Sequence, residues 1–155
     1  MSRKRCQRRR ITSLPPPGLR RMLDAGQRIE LGLVHWQNLD AIATGQANVQ
    51  TLAHWVEGVH TWSRVADLLA NRNPDHAPAV SEMRAQLELA TRLVERYGAS
   101  GRIGLTGPQY QLAKRGAAVM DALAHTVDQP TASAAADWSE QQMARLAIGA
   151  ERNAR

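Results

Sequence analysis

Residues 1–21 contain the side chains whose type and spacing best suit the binding of a charged partner. This segment has eight basic side chains and no acidic one, whereas the other 134 residues have twelve basic and fourteen acidic side chains. Guanidinium groups bind phosphate oxygens in pairs and stack on unpaired bases, and each neutralised phosphate releases counterions. The sequence therefore predicts electrostatic, non-specific binding of nucleic acid. The predicted contact residues are Arg3, Lys4, Arg5, Arg8, Arg9, Arg10, Arg20 and Arg21.

Two other roles remain open for this basic segment: a solubilising tail, or contact with an acidic protein surface. It has no interleaved aromatic residues that would favour nucleic acid more strongly. Like charges repel one another, and the run Pro15-Pro16-Pro17 imposes an extended backbone. We therefore predict that residues 1–18 form a disordered basic arm and that residues 19–150 form one helical domain.

Glu57 and His60 form a Glu-x-x-His step, the spacing with which di-iron bundles place ligands on two of their helices. The chain has no second Glu-x-x-His, and Glu88, which could complete a ligand set, falls off the apolar stripe of its own helix. We therefore predict no metal site and no cofactor. His60 lies on the apolar face of its helix and is interpreted as a hydrogen-bonded core histidine.

The dipeptides His35-Trp36 and His54-Trp55, together with Trp62, are interpreted as packing residues between facing helices. If these tryptophans were exposed, they would instead mark a docking surface. The glycine-rich stretch 98–107 lacks the Gly-Lys-Ser/Thr ending of a phosphate-binding loop and follows no strand. It is interpreted as the end of one helix, a loop pinned by Ile103 and Leu105, and the start of the next helix.

The sequence gives little support for catalysis or for DNA recognition by a helix-turn-helix. Cys6, the single cysteine, has no base at a fixed position, and no serine or histidine lies in a motif that would place nucleophile, base and orienting group. A helix-turn-helix would turn Gln109, Gln111, Lys114 and Arg115 towards DNA, but the preceding helix is too long and the intervening loop too large. We therefore predict that the protein is not an enzyme.

No apolar run reaches the length of a transmembrane helix, and three prolines interrupt the basic start where a secretory signal needs an apolar region. The sequence therefore predicts a cytoplasmic protein that does not enter a membrane.

Apolar residues recur at alternating steps of three and four in two stretches of the chain, as on one stripe of an α-helix. The first stretch comprises Val80, Met83, Leu87, Ala90, Val94 and Tyr97, and the second Tyr110, Ala113, Ala117, Met120, Ala124 and Val127. A short loop joins them, so we predict an antiparallel helical hairpin. Thr106 and Gln109 form the capping box that begins its second helix, and Gln129-Pro130 ends that helix.

Two further helices are predicted before the hairpin, from about Leu19 to Thr44 and from the N-cap Asn48 to about Asn71. On the first, Met22, Ala25, Ile29, Leu33, Trp36 and Ala43 share the apolar face. A short fifth helix begins near Asp137 and Glu140 and runs to about Ile148. The predicted fold is all-α: an antiparallel bundle of four main helices and a short C-terminal helix.

Short motifs in several parts of the chain form a recognisable combination. They are the arginine-rich start before Pro15, Asn38-Leu39-Asp40-Ala41, Thr51-Leu52-Ala53, and Gly101-Arg102-Ile103-Gly104 before Leu105-Thr106-Gly107-Pro108. This combination resembles small uncharacterised α-helical proteins that phages and prophages of proteobacteria encode. The resemblance covers most of the chain, implies the cytoplasm of a bacterial host cell, and supplies no catalytic residue.

Two functions are therefore expected. The first is a non-enzymatic phage accessory protein that binds nucleic acid through the basic arm while the helical body folds or forms a homo-oligomer. The alternative is an interaction module, an inhibitor or adaptor that contacts a host or phage protein through its helical surfaces. Small alanines at positions 113, 117 and 124 would permit close helix approach in such a contact.

Overall fold

The computed structural model describes the backbone of residues 21–153 and the side chains of residues 21–145. Within that range the chain is all-α, as predicted, with one isolated bridge between Met22 and Asp128. A 3-10 turn at Pro74–His76 precedes the third helix. The five helices are α1 (Ala25–Ala43), α2 (Val49–Ala70), α3 (Ala77–Ser100), α4 (Gly107–Ala124) and α5 (Gln129–Asn153). The predicted basic arm, residues 1–18, lies outside the described residues.

Side-chain caps determine where several helices begin. Asn48 accepts a hydrogen bond from the Thr51 backbone N–H at 2.9 Å, so the predicted N-cap of α2 is confirmed. Gln109 accepts from the Thr106 N–H at 3.0 Å at the start of α4, which confirms the predicted capping box. The start predicted for the first helix was wrong, because Asp24 caps α1 by accepting from the Gln27 N–H at 2.9 Å.

The predicted hairpin is present as α3 and α4, which pack against each other. Gln86 of α3 is fully buried and donates to the Leu112 carbonyl of α4 at 2.9 Å. Gly116 of α4 lies directly against this amide, because a Cβ at Gly116 would stand 2.5 Å from Gln86 Oε1. The two helices therefore approach closely around one buried polar side chain that the apolar stripe did not indicate.

Helix α2 is the centre of the fold and packs against α1, α3 and α5. Its buried residues are Leu52, Trp55, Val56, Val59, Trp62, Val65, Ala66 and Leu69. The prediction that Trp55 and Trp62 belong to the core is therefore confirmed. Val49 and Ala53 of the same helix are exposed.

The predicted inner face of α1 was wrong. Ile29 and Leu33, two residues of that face, are 62% and 54% exposed, whereas His35, Leu39 and Ile42 are buried. At about 100° per residue, the buried stripe is turned roughly a quarter of a circle from the predicted one. The helix thus leaves large aliphatic side chains on its outer surface.

The fifth helix is longer than predicted and begins before Pro130. Proline is accepted in a first helical turn, where its missing N–H costs nothing. Asp128 accepts a hydrogen bond from the Thr131 N–H at 2.8 Å and so caps the new helix, while α4 already ends at Ala124. Buried Ala135 and Ser139 seat α5 against the bundle. Its stripe consists of small residues, so its apolar periodicity is weak in the sequence.

Candidate functional site

Of the eight predicted phosphate-binding residues, Arg21 alone falls within the described part of the chain. Its side chain is exposed, and its carbonyl accepts a hydrogen bond from the Gln129 N–H at 2.7 Å. This bond and the adjoining Met22–Asp128 bridge hold the end of the basic segment beside the start of α5. The other seven residues, Arg3, Lys4, Arg5, Arg8, Arg9, Arg10 and Arg20, lie outside the described range.

An open groove of about 570 Å³ lies on the described bundle. Residues of α1, α2 and α5 line it, among them Leu31 and Val34 of α1, Thr61 of α2 and Ala136 of α5. Within residues 21–153, α1 and α5 each pack on α2 but not on each other. The groove therefore lies over α2, between α1 and α5, and we call it the α1–α5 groove.

The α1–α5 groove is closed where its two outer helices begin. There the bridge between Met22 and Asp128 joins the segments that precede α1 and α5. Gln129 Nε2 donates to Gln27 Oε1 at 3.0 Å across the same junction. The two helices are tied at this end and flank open space beyond it.

His35 is the most heavily buried polar residue of the groove, with 7% of its surface exposed. The Trp62 indole N–H donates to His35 Nε2, so the neutral ring carries its proton on Nδ1. Nδ1 is buried and has no hydrogen-bond partner among the described residues. Burial lowers the pKa of His35 to about 4, and the nearby Asp121 carboxylate opposes this only in part. The ring is therefore neutral at physiological pH.

Gly58 is what allows His35 to lie so close to α2. A Cβ at Gly58 would stand 2.5 Å from His35 Cε1 and 3.1 Å from Nδ1. The neighbouring Trp36 turns away from this site and donates its indole N–H to Asp121 Oδ2 of α4 at 2.9 Å. The two His-Trp dipeptides are therefore not equivalent, since in the second pair Trp55 is buried and its histidine is exposed.

Two carboxylates, Glu30 of α1 and Glu57 of α2, line the α1–α5 groove, and its lining in the described chain contains no lysine or arginine. Hydroxyl groups of Thr61 and Ser139 both donate to the Glu57 carbonyl, at 3.0 and 3.1 Å. The Thr61 bond lies within α2, and the Ser139 bond joins α5 to α2. The groove is thus apolar for most of its lining and acidic in formal charge.

The Glu57–His60 step does not form part of a ligand cluster. Among the described residues, no three His, Cys, Asp or Glu side chains come together in a way that could hold a metal ion. His60 is half-buried rather than a core residue, and burial lowers its pKa. Glu57 lines the groove, and its helix carries His60 one turn further on.

The glycine-rich stretch serves the helix boundaries, as the sequence indicated. Gly101 adopts φ +67°, the left-handed conformation that suits a helix C-cap, and ends α3. Arg96 donates to the Gly104 carbonyl at 2.8 Å and so holds the loop. Ile103 and Leu105 are partly buried and pack against the core. The stretch is a structural connection between α3 and α4.

The residues proposed for a helix-turn-helix are engaged within the bundle. Lys114 Nζ lies 5.6 Å from the centre of the Tyr110 ring, and Arg115 pairs with Glu82 at 3.8 Å. Gln109 accepts hydrogen bonds at the α4 cap and from Arg96 at 3.2 Å. Six residues, 101–106, separate α3 from α4. This geometry favours a packed hairpin over a DNA-reading pair of helices.

Within the described residues, fold and site define a class: a small bundle of five helices with an open groove that is acidic and largely apolar. No protein-family model matches the chain, and the searches of curated proteins and of solved structures also found no match. No described helix combines the length and the apolar composition needed to cross a lipid bilayer.

Proposed function

We propose that this protein is a non-enzymatic accessory protein that binds nucleic acid electrostatically through its arginine-rich N-terminal segment. The phage origin and the cytoplasm of a bacterial host are proposed with it, from the resemblance of short motifs. In this proposal the helical bundle carries the basic segment and contributes little binding energy of its own.

The observation that carries the proposal is how the basic residues are distributed along the sequence. Eight basic groups without an acid occupy residues 1–21, whereas many basic side chains of the bundle contact the bundle itself. Arg28 donates to the Leu23 carbonyl at 2.9 Å, Arg72 pairs with Asp128 at 3.4 Å, Arg115 pairs with Glu82 at 3.8 Å, and Arg64 lies 5.5 Å from the Trp138 ring centre. Phosphate neutralisation is therefore assigned to the N-terminal segment.

The test compares two full-length variants that lose the same charge. Arg8, Arg9 and Arg10 are changed to Gln in one, and the exposed bundle residues Arg84, Arg92 and Arg102 are changed to Gln in the other. Affinity for a labelled DNA duplex is measured by fluorescence anisotropy over a salt series. If each arginine neutralises one phosphate, the first variant flattens the slope of log K against log salt by about 3.

The bundle variant should keep the wild-type slope. Equal loss in both variants would show that the whole surface attracts DNA, and no binding at low salt would end the proposal. Parallel measurements with single-stranded DNA and RNA identify the preferred strand type from the measured affinities. Slopes are compared within one strand type, because the slope per neutralised phosphate is smaller for single strands.

A second candidate function is interaction with a host or phage protein through a helical surface. It is favoured by α1, whose Ile29, Leu33 and Val34 are 62%, 54% and 47% exposed. Clustered aliphatic side chains on a surface commonly mark binding sites. A pull-down from host lysate with and without nuclease separates the candidates, since a partner that is lost on nuclease treatment supports nucleic-acid binding.

A further inference from the structure

Among the described residues, the α1–α5 groove lies over α2 between two helices that both pack on it. Its base is α2, which the chain covers on its other sides with α3 and, more lightly, α4. The α1 residues that line the groove lie between Gln27 and His35, eight residue steps or about 12 Å apart at 1.5 Å per residue. That length accommodates roughly two turns of a helix lying over α2.

The α1 side of the groove is aliphatic. Leu31 and Val34 are 37% and 47% exposed, and Leu23 lies at the closed end. A helix with apolar residues around most of its circumference is typically covered on more than one side. Among the described helices, α1 packs on α2 and α4 and is joined to the start of α5 by the Gln27–Gln129 hydrogen bond, and Leu31 and Val34 stay exposed. Leu31 and Val34 thus form an apolar surface suited to a further element.

The charge of the groove indicates what that element carries. Glu30 and Glu57 line the groove, and no basic side chain of the described chain faces them in its lining. In the same lining, buried His35 Nδ1 has no hydrogen-bond partner among residues 21–145. An occupant that places lysine or arginine beside the two carboxylates would complement this charge, whereas an acidic occupant would be repelled.

We infer that the α1–α5 groove is the docking site for a short amphipathic helix of a partner protein, with an aliphatic face and basic flanks. The aliphatic face packs on Leu31 and Val34, and the basic flanks pair with Glu30 and Glu57. This mode is recognition of a helix in a groove. The inference rests on the second candidate function, which it deepens by naming the surface and the chemistry of the partner.

The binding test uses a synthetic amphipathic helix of leucine and lysine as probe, titrated into the full-length protein in isothermal calorimetry. Val34→Asn should weaken binding about tenfold, because it puts a polar amide in the centre of the contact. Val94→Asn is the matched control, since Val94 of α3 is equally exposed at 47% and lies outside the groove. It should leave the affinity unchanged.

A second pair of variants tests charge. The double change Glu30→Gln with Glu57→Gln should weaken binding severalfold, whereas Glu88→Gln with Glu95→Gln on the exposed side of α3 should not. In the Ala136→Trp variant, a large side chain enters the groove from an exposed position of α5. This variant should abolish binding without altering the core. Equal effects in the matched pairs, or equal binding of a probe with glutamate in place of lysine, would overturn the inference.

Photocrosslinking then identifies the occupant. A photoreactive amino acid at position 136 should crosslink to the probe in the full-length protein. Crosslinks to a second copy of the chain, or to residues 1–20 of the same chain, would overturn the inference in favour of self-association or of an internal occupant. Retention of DNA binding in Val34→Asn would show that a failure here leaves the nucleic-acid proposal intact.

Discussion

Replacement of Gly116 by alanine is predicted to destabilise the bundle even though it removes a glycine from the interior of a helix. A Cβ at this position would stand 2.5 Å from Gln86 Oε1 and 2.6 Å from Gln86 Cγ. Gln86 is fully buried, so its side chain has no space into which to retreat. Its amide also donates to the Leu112 carbonyl at 2.9 Å and to Glu82 at 3.0 Å, and a displaced side chain would lose one or both bonds.

The magnitude follows from three contributions. Overpacking of a core costs about 1 to 3 kcal/mol, and a buried hydrogen bond left unmade costs about 1 to 3 kcal/mol. The better helix propensity of alanine offsets about 1 kcal/mol. The free energy of unfolding should therefore fall by about 3 kcal/mol, which in a domain of this size lowers the melting temperature by roughly 10 °C.

The measurement is urea unfolding of the full-length protein, followed by circular dichroism. Gly98→Ala is the control, because Gly98 lies in α3 and a Cβ there meets nothing within 4 Å. That variant should be unchanged or stabilised by up to about 1 kcal/mol. If Gly116→Ala behaves like Gly98→Ala, the close packing of α3 and α4 around Gln86 is refuted. In the double variant with Gln86→Ala, the two effects should add to less than their sum, since the clash is gone.

Three further predictions concern side-chain contacts that hold the helices of the bundle together. Because the folded pKa of His35 is about 4 and its ordinary value is 6.5, the unfolded chain binds more protons between these values. The free energy of unfolding should therefore fall by up to about 3 kcal/mol as the pH drops from 6.5 to 4. Urea titrations of the His35→Gln variant should show a smaller change of this free energy with pH. Trp36→Phe removes the 2.9 Å bond to Asp121 and should cost about 1 kcal/mol, non-additively with Asp121→Ala in a double-mutant cycle. Arg72→Gln removes the 3.4 Å ion pair between Arg72 and buried Asp128, so thermal melts should show a loss of about 2 kcal/mol and hydrogen exchange should accelerate in α5; unchanged exchange there would contradict the role of this contact.

The predicted helices α2, α3 and α4 were confirmed because their signals are local. Asn48 with Thr51 and Thr106 with Gln109 form caps whose hydrogen bonds span three residues. Gly101 ends α3 because its backbone adopts a left-handed conformation. Such signals depend on neighbours along the chain, so they are legible without knowledge of the tertiary contacts.

The candidate groove was not predictable in the same way. Its residues belong to three helices, and it exists because α1 and α5 both pack on α2 and leave space between them. The sequence indicated Glu57 as a metal ligand candidate, whereas the structure places it in an acidic groove with Val34 and Ala136. Periodicity predicts Ile29 and Leu33 on the apolar face of α1, whereas both side chains are exposed.

The amino-acid sequence by itself determined that the described chain is helical, where α2 and α4 begin and α3 ends, and that the positive charge is concentrated in residues 1–21. Only the tertiary structure decided which side of α1 is buried. The reason is that this rotation depends on long-range contacts, the Trp62 bond to His35 and the approach of Gly32 to Asp121. It also decided the length of α5, whose small residues become a packing stripe because α2 lies close enough to cover them.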